Sequence, residues 1–171
     1  MIFDGRWKWE LQKLSWAIAV WRRVPAFSGF AEHQLNRAIL YSATILRKLI
    51  EDETEAEEIA KTMGAALPKQ ETTHAMLTAI KFPYTAEEGW TVRGIFRVGD
   101  YGPGDAVSLK SKDVCNWLIH SCIWSLAQTS EGKDYSGFLV ASDFDREKNI
   151  HFVSFDEWQR LIKLAIDHGV F

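Results

Sequence analysis

Apolar positions recur at helical spacing from the start of the chain. Trp7, Leu11, Leu14, Ile18 and Trp21 predict a helix over Arg6–Arg23, ended by Pro25. Trp9, Trp16 and Val20 widen its apolar face, which predicts a core helix packed on two neighbours. A second helix follows over Phe30–Glu51, capped by Ser28. Its inner face is Leu35, Ala38, Ile39, Ser42, Ala43, Leu46, Leu49 and Ile50. His33, Arg37, Leu40, Tyr41, Thr44, Lys48 and Glu51 lie on the other side, where Leu40 and Tyr41 among charges suggest partial cover by another helix or subunit. Thr54 and Glu57 fit a capping box, so a break and a short third helix, Glu55–Met63, are expected, then a loop over Gly64–Gln70. Thr73–Lys81 reads as another short helix.

The pattern changes after Pro83. Val92, Gly94, Phe96 and Val98 alternate with Arg93, Ile95 and Arg97, a strand signal. Gly99–Asp105 then reads as a wide hairpin loop, with Val107–Leu109 returning as a short strand. Lys112–Ala127 is apolar almost all round and predicts a buried helix with Ser111 as its N-cap. Its polar stripe is Asp113, Asn116 and His120. Gly137–Ser142 and Asn149–Ser154 predict a hairpin around Asp143–Lys148. Ser154 and Glu157 form a second capping box, opening a helix through Trp158, Leu161, Ile162, Ala165 and Ile166 that Gly169 ends.

These elements imply one α+β domain over residues 1–171. A helical N-terminal part, about 6–81, packs with a strand-containing part, about 90–168, made of a small antiparallel sheet, a buried central helix and a C-terminal helix. The 171 residues are enough for a real core. Net charge is −3, which gives no basic field for DNA or an acidic membrane. No apolar run approaches the roughly 20 residues that span a bilayer. Eight Trp and ten Phe raise the expectation of a protein partner or a homodimer. Arg6, Lys8, Lys13, Arg22 and Arg23 make the first helix basic, which also suits a membrane surface or RNA. Glu51–Glu58 is acidic and reads as a solvated helix start.

Candidate chemistry narrows quickly. The glycine loop at 99–104 lacks the Lys-Ser/Thr ending of a phosphate loop. Asp143–Asn149 resembles half of a calcium loop, but Ser154 stands where a bidentate Glu is needed. The five His show no metal-ligand spacing, so no metal and no cofactor are expected. Cys115 and Cys122, about 10 Å apart on one helix, cannot pair, and the two thiols suggest a reducing cytoplasm. Cys115 and His120 point apart on that helix, which argues against a cysteine nucleophile. Asn116 and His120 share a face at i,i+4, and Asp113 one turn earlier could orient either. They are the candidate catalytic pair. Asp113, Trp124, Arg37 and Tyr41 are candidate binding residues.

Cys115-Asn116-Trp-Leu-Ile-His120 resembles the Arg-Asn-x-x-x-His motif of the HEPN-domain family, with Cys115 in place of the Arg. The resemblance covers residues 6–127 and implies a helical bundle, often dimeric, with metal-independent ribonuclease activity of a toxin or phage-defence type. It gives His120 the acid/base role and Asn116 a positioning role. Without the motif Arg, such a protein is expected to be inactive or to recruit another cation, for which Arg37 and Arg47 are the candidates. The strands at 90–98 and 137–154 lie outside that family's helical pattern. No complete catalytic set is visible, so a self-associating protein-interaction or accessory module ranks first. A HEPN-like ribonuclease, or its inactive relative, ranks second. A small-ligand or nucleotide binder ranks third.

Overall fold

The computed structural model describes residues 6–24, 29–65, 74–83, 103–120, 124–129, 131, 134–142 and 148–168, with the backbone alone at 96–97. Along the chain run α1 (Arg6–Trp21), α2 (Gly29–Thr62), β1 (Met76–Pro83), β2 (Phe96–Arg97), β3 (Asp105–Lys110), α3 (Ser111–His120), β4 (Trp124–Gln128), β5 (Tyr135–Val140), β6 (Asn149–Ser154) and α4 (Phe155–His168). The α+β class is as expected. The strands form one sheet in the order β2-β4-β5-β6-β1-β3. All pairings are antiparallel except the short β2–β4 contact.

The second helix differs most from expectation. It has no break: α2 is continuous for 34 residues. Thr54 does not cap a new helix, because its hydroxyl donates to the Ile50 carbonyl one turn back. Across the expected break, Arg47–Glu51 and Lys48–Asp52 pairs at i,i+4 hold neighbouring turns together. The helix stops where Gly64 takes φ +70°. There Ala65 N–H reaches Ala60 O at 2.8 Å and Gly64 N–H reaches Lys61 O at 3.2 Å, the paired closing bonds of a Schellman end.

Two further corrections concern strands read as helix. Residues 76–81 belong to β1, not to a helix. Leu77 and Ala79 are buried while Met76 and Thr78 are exposed, a period of two. Pairing with β3 along Met76–Lys81 and with β6 along Ile80–Pro83 overrides the local helical spacing. The central helix ends at His120, and Trp124–Gln128 forms β4, hydrogen-bonded to β5. Nor do β2 and β3 form a hairpin, since they lie on opposite edges of the sheet. The Asn149–Ser154 strand and the helix after it match expectation, and Glu157 N–H is capped by Ser154 Oγ at 3.2 Å. The Glu157 carboxylate does not complete the box at Ser154. It accepts from Thr78 N–H while Arg160 donates to Met76 O, so two side chains continue the ladder on β1 where β6 gives way to α4. The Ser28 cap, the 143–147 turn, Gly169, Cys122 and most of the 90–98 strand lie outside the described residues.

One core joins the helices to one sheet face. Leu11 and Ile18 of α1, Leu35, Ile39 and Leu46 of α2, Val114 and Leu118 of α3, and Trp158, Leu161 and Ile162 of α4 meet Leu77, Phe138, Val140 and Val153 of the strands. Trp158 is fully buried; its ring stands edge-on to Phe138 at 5.4 Å, and its N–H donates to Ser42 Oγ at 2.9 Å. A second cluster, Phe82, Ala127, Leu139, Ala141, Ile150 and Phe152, occupies the opposite sheet face. Gly137 lies where the two middle strands press together: a Cβ there would stand 2.2 Å from the Val153 carbonyl oxygen.

Candidate functional site

Two surfaces carry the residues of interest. The first is the seam between α2 and α3. α3 buries Ser111, Val114, Cys115 and Leu118, which leaves its polar stripe on the other side: Asp113 and Asn116 half-buried, His120 exposed. The stripe is therefore not sealed in the core as the apolar pattern suggests. It runs from half-buried at Asp113 and Asn116 to exposed at His120, because Val114, Cys115 and Leu118 supply the buried face.

At this seam Arg47 Nη1 lies 2.5 Å from His120 Nε2. A guanidinium only donates, so this contact needs Nε2 unprotonated and the ring proton on Nδ1. Arg47 also donates through Nε to Glu51 Oε1 at 2.9 Å. The Arg47 guanidinium is thus shared between His120 and the Glu51 carboxylate of its own helix. Asn116 Oδ1 is buried without a hydrogen-bond partner, so it accepts nothing from His120. Cys115 is fully buried. Burial pushes its thiol up to about 12, against a smaller opposing pull from Arg47. It stays protonated at neutral pH and serves as core, not nucleophile.

The other sequence candidates stand apart. Arg37 and Tyr41 are both exposed on the outer side of α2, with the guanidinium 5.8 Å from the ring centroid. They precede Arg47 by roughly 15 Å and 9 Å along the helix axis. Trp124 is half-buried on β4, packed against the main core opposite Val140. Asp113 lies one turn before Asn116 on the same stripe. Among the described residues no three His, Cys, Asp or Glu side chains converge as a metal site.

The second surface is the outer face of α1. Leu11 and Ile18 turn inward and are nearly inaccessible, while Trp9 is 60% and Trp16 68% exposed. The two pairs stand about 160° apart around the helix, so Trp9 and Trp16 do not widen the buried face. They lie with Val20, also exposed, in a row beside Gln12 and Lys13. The Lys13 ammonium sits 3.8 Å from the Trp9 ring centroid. Gln12 and Lys13 on that side were the available signal that it faces water. Further apolar side chains stand exposed at the far end of α2, Ile59 at 53% and Met63 at 77%.

No protein-family model matches the chain, and no curated protein and no solved structure matches it at a significant level. Among the described residues no helix is long and apolar enough to cross a membrane.

Proposed function

We propose that this protein is an interaction module that docks a protein partner on the outer face of α1. The carrying observation is the exposure of Trp9 and Trp16 one above the other on a single helix face. Lone exposed apolar residues are ordinary, but two indoles and a valine in one row form a patch of the kind that marks interfaces. Tryptophan is also the residue type most enriched among interface hot spots. The buried free thiol of Cys115 fits a reducing, cytoplasmic setting.

A photo-crosslinking residue placed at position 16 in cells tests this reading, with exposed Lys163 on α4 as the control position. A protein adduct is expected from position 16 and not from 163, and Trp9→Ala should suppress it. Equal labelling from both positions, or none from 16, would overturn the docking face.

The Arg47–His120 contact favours a second reading, RNA cleavage of the HEPN type, with His120 as acid/base and Arg47 standing in for the motif cation. Against it, Glu51 pairs with Arg47 and Asp52 with Lys48, and Asp113 stands beside Lys112, so acids match bases along the seam and it carries no basic excess for RNA. Metal-independent RNA cleavage that is lost in His120→Ala with the fold intact would establish it. No cleavage by the wild-type chain would end it.

A further inference from the structure

Resting on the docking reading of α1, we infer that the partner is a second copy of this chain, and that the surface α1 meets is the acidic end of α2. The argument begins with charge. Residues 6–23 carry five basic residues and one acid, Glu10. Residues 51–62 carry six acids and one base, Lys61. Part of this charge is satisfied within the chain: Arg22 pairs with Asp156, Glu51 with Arg47 and Asp52 with Lys48, and Glu53 is buried. The exposed remainder still differs in sign, with Lys13 and Arg23 on one side and Glu55 and Glu58 on the other, and orients two copies towards each other.

The apolar residues are arranged to match. On α1 the exposed row is Trp9, Trp16 and Val20, with Lys13 between the indoles. On α2, Glu55, Ile59 and Met63 follow at i, i+4 and i+8, and all three are exposed with Glu58 beside them. Each helix therefore presents a ridge of apolar side chains edged by one sign of charge, and the signs are opposite. Trp9 and Trp16 can lie along Ile59 and Met63 while Lys13 and Arg23 meet Glu55 and Glu58.

A surface and its complement on one chain allow a reciprocal pair, in which α1 of each copy covers the α2 end of the other about a two-fold axis. These five residues expose about 600 Å² per copy, so covering all of it on both copies would bury at most about 1,200 Å², the lower end of a specific interface. Lys13 already pairs with Glu10 at 2.7 Å in the single chain, so the apolar row holds the pair and the charges set its register.

Sedimentation of the purified full chain over a concentration series tests this. The mass is expected to rise to twice 19.6 kDa. Trp9→Ala/Trp16→Ala should weaken pairing by about 30-fold or more. Glu55→Lys/Glu58→Lys and Lys13→Glu/Arg23→Glu should each weaken it, and mixing those two charge-reversed chains should restore it, because one of the two contacts is then wild-type and the other has its signs exchanged. Circular dichroism guards against misfolding of any variant. A chain that stays monomeric throughout, or a pair indifferent to all these substitutions, overturns the inference. If the chain is monomeric yet position 16 still crosslinks to a different protein in cells, the docking face stands and only the second copy falls.

Discussion

The chain carries a tryptophan helix at each end, and the two treat their indoles in opposite ways. In α4, Trp158 is fully buried against Phe138 and bonded to Ser42, while Asp156, Arg160 and Lys163 face water. In α1, Leu11 and Ile18 fill the inner face and Trp9 and Trp16 stand in solvent. The difference follows from what each helix has to cover. α4 lies over β1, β5 and β6 and needs one large side chain to fill the space between sheet and α2. α1 packs at the side, against α2 and α4, and two medium aliphatic residues with Leu14, Ala17 and Trp21 suffice. An indole is a core element in one place and exposed surface in the other.

Substitutions along this contrast should separate stability from association. Trp158→Ala should cost most, about 3–5 kcal/mol by denaturant unfolding, since a large buried ring leaves a cavity. Ser42→Ala leaves the Trp158 N–H without its acceptor in the core, and about 1–2 kcal/mol should be lost in the same assay. Glu157→Gln should cost about 1 kcal/mol, because it weakens the Thr78 N–H bond that ties α4 to β1 and the Arg160 pair beside it on α4. Those bonds hold the Glu157 carboxyl below its ordinary range, the Arg160 bond foremost. Its contribution is therefore full above the unfolded carboxylate pKa and is lost as pH falls through the lowered folded value. Glu157→Gln should flatten that acid-side part of the stability profile. Trp16→Ala should change stability least, within about 0.5 kcal/mol, when measured at concentrations too low for pairing. A large loss from Trp16→Ala would mean that α1 leans on its outer face after all.

The same contrast explains what could be read from the chain. α4 and β6 were legible because their signals are local: alternation over Asn149–Ser154, then a Ser cap and a helical apolar row. β1 and β4 were not, because both are strands by virtue of distant partners. Leu77 faces Leu109, Ile80 faces Phe152, and Leu126 faces Phe138, and no window of the sequence contains most of these pairs. The α2–α3 seam shows the same limit. Asn116 and His120 share a helix and could be paired from spacing, whereas Arg47 reaches His120 across 73 residues. Arg37, the other candidate cation, faces Tyr41 instead. The outer face of α1 was misread for a different reason. Trp9, Trp16 and Val20 read as a widened apolar face packed on a second neighbour, while the angular positions of Gln12 and Lys13 place Trp9 and Trp16 outside.

The position of β1 in the sheet bears on how the chain is made. β1 is translated well before one of its two neighbours: it sits between β3 and β6, and β6 ends at Ser154. At ordinary elongation rates of 5–20 residues per second, the ribosome needs roughly 3–13 s to go from Pro83 to Asn149. For that interval α1, β3 and α3 can already pack on α2 and β1, but the β6 edge of β1 has no partner and the α4 side chains that meet Leu77 in the core have not been translated. Slow codons placed between β1 and β6 would lengthen the time for which that edge of β1 stands open to another strand.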